Sequence, residues 1–162
     1  MKCRISRSLL ARIASETRTF PGIESCGLLL GTAGSIGDAA AVPNVAPDPS
    51  GRFAMDPEAC LSASRPARAA GLRMVGHYHY HPSGSAAPSA ADAAGAAEQG
   101  VYWLILTSRG HGLWISRRGG AIAGAFDAAA LTIVDAPPCK VPVRRPIGWP
   151  NGTEAPQGRL GA

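Results

Sequence analysis

The chain has 162 residues, 46% of them hydrophobic and 17% charged, with a formal net charge of +5. That length suits one domain with a single proper core, and no apolar run approaches a membrane span, so no membrane partner is expected. The positive residues are almost all arginines spread thinly along the chain, without the dense stripe and interleaved aromatics of a nucleic-acid surface, so no specific nucleic-acid partner is expected either.

The opening "MKCRISRSLLARIASETR" breaks its apolar segment with charges and lacks a signal-peptide core, which points to the cytoplasm. The first element expected is a helix over residues 7–19, with Leu9, Leu10, Ile13 and Ala14 at helical spacing and Pro21-Gly22 ending it. "ESCGLLLG" reads as a buried strand over residues 25–30 closed by Gly31, followed by a short strand over 39–42 and a Pro/Asp/Gly loop, "VPNVAPDPSG". Asp56 and Pro57 suit the start of a second helix, which Pro66 is expected to kink or interrupt near Ser64. "LRMVGHYHYH" is then a strand, and "PSAADAAGAAEQG" a short helix beginning near Ser89. "VYWLILTS", "GLWISRR", "AIAGAF" and "LTIVDA" read as closing strands. The domain is expected to span residues 1–136. From 137 to 162 the chain is Pro/Gly-rich, basic and aperiodic, which fits a flexible tail.

Cys3, Cys26, Cys60 and Cys139 are scattered with no C-x-x-C pair, which argues against a zinc ribbon or a thioredoxin-like centre and for reduced, packed thiols. The residues that call for chemistry are elsewhere. In "GHYHYHP" the alternate histidines His77, His79 and His81 share one face of an extended strand, about 7 Å from one to the next. Neighbouring imidazoles at that spacing can converge on one ion, yet a wet sheet face would look the same. Reading on, "HYHPSGSAAPSAAD" places Ser89 and Asp92 downstream, and Glu24 stands at the mouth of the buried strand upstream. Two histidines and a carboxylate are a ligand set that a catalytic zinc takes. A glutamate beside its open position can serve as general base, and a serine hydroxyl can stabilise an oxyanion.

Glu24 in "ESCGLLLG" together with H-x-H-x7-S-x2-D, which "HYHPSGSAAPSAAD" fits position by position, resembles the JAMM/MPN+ zinc metalloproteases. These are isopeptidases acting on ubiquitin and ubiquitin-like proteins. The order of elements over roughly residues 2–135 agrees with that family as well. The resemblance implies an α/β (α+β) fold, a single MPN domain with a mixed curved β-sheet flanked by helices, akin to the cytidine deaminases. It implies one zinc ion per chain held by His79, His81 and Asp92, with Glu24 handling the protons and Ser89 holding the oxyanion.

His77 falls outside that motif, where the family commonly has a large apolar residue, and a half-buried or supporting role is expected for it. Tyr80 departs from the small residue usual between the two histidines; it should point to the opposite face and alter the packing behind the site. Cys26 lies on the strand of Glu24 but has no histidine to activate it, and is expected to be inert. Ser89-x-x-Asp92 is also a helix-capping pattern. Ser89 can cap and react, whereas Asp92 is expected to ligate rather than cap. His111 reads as a turn residue, and Trp103 and Trp114 as core.

Only about eight residues separate Asp92 from the strand at Val101, too few for a functional lid. Family members that grip ubiquitin chains carry insertions there, so this chain resembles the compact bacterial and archaeal members. The implied substrate is the C-terminal Gly-Gly tail of a ubiquitin-like or ThiS/MoaD-like sulphur-carrier protein, or an amino acid attached to it. Two alternatives remain at this level: a non-catalytic MPN scaffold, which would typically lack one of the ligands, and a basic nucleic-acid-binding module.

Overall fold

The computed structural model describes residues 1–135; the expected tail, with Cys139, lies outside the described residues. The chain opens with a strand rather than a helix: β1 (Lys2–Ser6) buries Cys3 and Ile5 and exposes Lys2 and Arg4. Ser6 then caps α1 (Arg7–Thr17), its hydroxyl accepting the Leu9 N–H at 3.1 Å. The helix ends two residues earlier than its spacing suggests, with Arg18 as its C-cap. β2 (Cys26–Thr32) runs through Gly31 by way of a bulge and joins β3 (Ser35–Val42) in a tight hairpin. Gly34, at φ 73°, supplies the left-handed residue that the turn needs. Pairing with β2 starts β3 four residues before its apolar run, at Ser35.

Asp56 caps α2 (Pro57–Ala69), accepting the Ala59 N–H at 2.8 Å with Pro57 in the first turn. Pro66 does not interrupt this helix. It stands in the last turn, so the one hydrogen bond it removes and any clash with the preceding turn fall at the end of the helix. β4 (Arg73–Tyr80), the short α3 (Ala90–Gly95), β5 (Tyr102–Leu106), β6 (His111–Gly120), β7 (Gly124–Ala128) and β8 (Ala130–Val134) follow. His111 is therefore the exposed first residue of β6 rather than part of a turn. "AIAGAF" is half turn and half strand, because Ala123 adopts φ 49° and the strand begins only at Gly124.

All eight strands form one mixed sheet in the order β7-β6-β5-β4-β2-β3-β1-β8. Its edge strands β7 and β8 are consecutive in the chain, with only Ala129 between them. A sheet whose two edges are joined by one residue must curl on itself. The Ala129 N–H reaches the Leu113 carbonyl and the Ala130 N–H the Met1 carbonyl, each at 2.9 Å, at that join. Inside the curl α1 packs Leu9, Leu10 and Ile13 against Leu29, Tyr78, Tyr80 and Leu104. Full burial of each such aliphatic side chain is worth about 1.5–3 kcal/mol. On the other face α2 covers Cys26, Leu28, Leu30 and Val42. Alternation along β4 thus sends Tyr78 and Tyr80 into the α1 core, and His77 and His79 to the α2 face. Tyr80 does point away from the histidines, 4% exposed. Gly27 leaves room for the Tyr78 ring, since a Cβ there would collide with it and with the Ala40 carbonyl.

Candidate active site

β4 is central in the sheet, between β2 and β5, so its C-terminal end is held on both sides. The Tyr80 N–H donates to the Ser25 carbonyl (2.9 Å) and the His81 N–H to the Leu106 carbonyl (2.8 Å). His79 and His81 therefore project from a fixed backbone, and their Nε2 atoms lie 2.8 Å apart. Asp92, on the first turn of α3, faces both: Oδ1 is 3.2 Å from His79 Nε2, and Oδ2 is 3.2 Å from His81 Nε2. Glu24 Oε1 stands 4.0 Å from His81 Nε2. Glu24, His79 and His81 offer donor atoms within 4.8 Å of one another, all three side chains being buried.

Asp92 corrects one expectation, because it caps as well. Ser89 and Asp92 form a full capping box, with the Ser89 N–H donating to Asp92 Oδ2 at 2.6 Å and the Asp92 N–H to Ser89 Oγ at 3.1 Å. A carboxylate has about four lone-pair positions, so a cap and a ligand role are compatible. The Ser89 hydroxyl accepts in this arrangement and keeps its own proton to donate.

These atoms fit a metal ion. His81 donates Nδ1–H to the Ser85 carbonyl at 2.8 Å, which leaves its Nε2 with a bare lone pair. Two Nε2 atoms and two carboxylate oxygens then face one point in a buried space, where imidazoles would otherwise need a shared proton. Ligands about a tetrahedral zinc stand about 3.4 Å from one another, close to the 2.8–3.2 Å separations found here. His79 Nδ1 is buried without a partner, so Nε2 is the only nitrogen of that ring with polar company.

The electrostatics follow from burial and proximity. Burial pushes the Glu24 carboxyl up to about 7, against the pull of His81, with Asp92 and Asp48 adding to the rise. Burial would also raise Asp92, but His79, His81 and the Ser89 amide hold it well below the usual carboxylate range. Burial lowers His79. It would lower His81 too, yet Asp92, the Ser85 carbonyl and Glu24 carry that imidazole above its ordinary value. His77, two residues up the strand, is pushed down to about 3 by burial and then by His79, and is neutral. Cys26 is pushed up to about 12 by burial and only donates weakly to the Val42 carbonyl, so it is no nucleophile.

Three parts of the site have no signal in the sequence. Asn44 uses its whole side-chain amide: Nδ2 donates to the Glu24 and Arg52 carbonyls (3.0 and 3.1 Å), and Oδ1 accepts the Ala46 and Ala54 N–H groups (3.0 and 2.9 Å). The Glu24 N–H donates to the Pro49 carbonyl at 2.7 Å, so the 44–54 loop grips this residue from both sides. Phe53, on that loop, stacks on His79 with centroids 4.4 Å apart. Trp103 is core, as expected, and also stands edge-on to His77 at 4.0 Å. Asparagine in a Pro-rich loop reads only as a turn former; its partners lie up to 20 residues away.

Residues 6–118 match the family described as prokaryotic homologues of the JAB domain. The chain belongs to this JAB/JAMM family. This JAMM domain is 34% identical over 105 residues to desampylase from Haloferax volcanii, a match covering 64% of this chain and 76% of that one. A solution structure of a protein from Desulfitobacterium hafniense shares the fold, with a TM-score of 0.71 at 22% identity over 83% of this chain and 94% of that one. A JAB1/MPN domain protein from Archaeoglobus fulgidus does so with a TM-score of 0.52 at 19% identity over 81% and 98%. The buried Glu-His-His cluster is that of a JAMM metal-dependent hydrolase, and it matches a site for one zinc ion per chain. No helix among the described residues is long and apolar enough to cross a membrane.

Proposed function

We propose that this JAMM domain hydrolyses the amide bond that follows the C-terminal Gly-Gly of a ubiquitin-like or sulphur-carrier protein, releasing the attached residue or chain. The convergence of His79, His81 and Asp92 on one point, with Glu24 a step beyond, carries the mechanism. The likeness to an enzyme named desampylase supports a ubiquitin-like substrate. So does the short segment between α3 and β5, which leaves no room for an inserted lid at that place.

In this reading His79, His81 and Asp92 hold the zinc. When bound, zinc supplies Lewis-acid polarisation of the scissile carbonyl and a water acidified toward a pKa of about 7. Glu24 takes the proton of the attacking water and passes it to the leaving amine, a task suited to a carboxyl whose pKa sits near neutrality. The Ser89 hydroxyl donates to the developing oxyanion while the Asp92 N–H holds its oxygen in place. The tail is proposed to lie extended beside the histidine strand.

Intact-mass analysis of a Gly-Gly carrier extended by a few residues tests this, with and without chelator. Trimming after Gly-Gly that chelator abolishes is expected. Glu24→Gln should reduce it by roughly 10²–10⁴-fold while zinc content per chain stays the same. An untouched carrier in the zinc-loaded protein would sink the substrate assignment.

A further inference from the structure

A cleft of about 220 Å³ opens beside the metal centre, against Asp92, and its walls include Phe53, Met55, His77, Trp103 and Gly95, with Arg52 among the lining residues. We propose that this cleft is a specificity pocket for the side chain of the residue whose amine is released, and that it favours a large side chain with an apolar body. The inference rests on the Gly-Gly reading above. Glycines on the acyl side have no side chain to fill a pocket, whereas the residue that follows them does.

The size is right for one side chain. A cavity of about 150 Å³ already accepts a benzene ring, and drug-sized ligands take about 300 Å³ or more. The walls are aromatic and braced against one another. His77 meets Trp103 at 4.0 Å and Phe53 at 5.5 Å, and Trp103 is locked from behind by Phe126 at 4.9 Å. Such walls are preformed, so an occupant orders little on entry. His77 forms one wall of the cleft. Its ring lines the cleft, it is 8% exposed, and its Nδ1 is buried with no hydrogen-bond partner. Phe53 also stacks on His79, which ties the pocket wall to the metal centre.

Gly95 provides the handle. A Cβ there would stand 4.0 Å from the Trp103 ring, so a longer side chain enters the cleft without a clash at its base. The zinc-loaded full chain carrying Glu24→Gln keeps peptides intact for binding. The probes are Gly-Gly-Xaa amides in which Xaa is Ala, Leu, Met or Phe, followed by NMR of the Trp103 indole and the His77 ring. Met and Phe should bind at least about tenfold more tightly than Ala and move both signals. Adding Gly95→Leu should shrink that preference to about twofold or less, and Met55→Ala, which widens the cleft instead, should shift it toward Phe. Equal affinity for all four peptides, or an unmoved Trp103, would overturn the pocket. Cleavage by the chain with Glu24 intact reports separately. Side-chain-dependent binding without cleavage would uphold the pocket and remove the hydrolase reading, and cleavage with no preference would do the reverse.

Discussion

His81 donates one ring proton to the Ser85 carbonyl and turns its other nitrogen toward Asp92 and Glu24. That second nitrogen is where a proton and a metal ion compete. Against the effect of burial, Asp92, the Ser85 carbonyl and Glu24 raise its pKa above the ordinary value, so in the metal-free protein this nitrogen takes up a proton more readily than a free imidazole. Metal uptake must release it, and affinity should fall as pH drops through the raised His81 value, approaching tenfold per pH unit. His79, lowered by burial, stays neutral over that window and adds nothing to the slope. Competition with a chromogenic chelator from about pH 5.5 to 8 checks this, and a flat affinity would exclude His81 as a ligand. That His79 and His81 share a strand face and that Asp92 stands in a first helical turn was legible in the sequence, because strand alternation and a helix-capping pattern are local signals. That Asp92 caps α3 while facing both histidines was not, since the two uses look like competitors until Oδ2 is seen between the Ser89 amide and His81, with Oδ1 beside His79.

Among the elements, the loop between β3 and α2 has no regular structure over most of its length and yet is held closely. Asn44 closes it with four hydrogen bonds, one of them to the carbonyl of Glu24. Replacement by alanine removes all four and strands several backbone groups. The expected cost is about 2–3 kcal/mol in urea unfolding, together with faster hydrogen exchange at the Glu24 amide, which donates into the same loop. Exchange unchanged at Glu24 would show that the loop does not position it. Helix starts were readable because Asp56-Pro57 and Ser89 are local signals. β1 was not, since five residues of weak alternation form a strand only when β3 and, more than a hundred residues on, β8 supply the partners.

For the molecule as a whole, the buried cluster links folding to metal. Glu24, His79 and His81, with Asp92 against the two histidines, come from the approach to β2, the C-terminal end of β4 and α3, and an unfolded chain cannot gather them. Zinc binding to the native state alone should raise stability by about 2.7 kcal/mol at a free concentration one hundred times the dissociation constant. Thermal unfolding at stepped zinc concentrations, with chelator as the baseline, should show a midpoint that climbs with the ion. A midpoint indifferent to zinc would mean that the ion is not held by the folded site.

The α+β class came from the likeness of the motif to a known family, while the pattern of residues along the chain was enough to set the opposite faces of β4, the starts of α2 and α3 and the turn at which Asp92 stands. Each of these depends on periodicity or on spacings of a few residues, and backbone geometry converts those into direction without help from distant parts. The curl of the sheet, the Asn44 grip on Glu24 and the aromatic cleft behind Asp92 needed the fold itself. They arise where segments remote in sequence meet, as β1 and β8 do when they pair across more than a hundred residues.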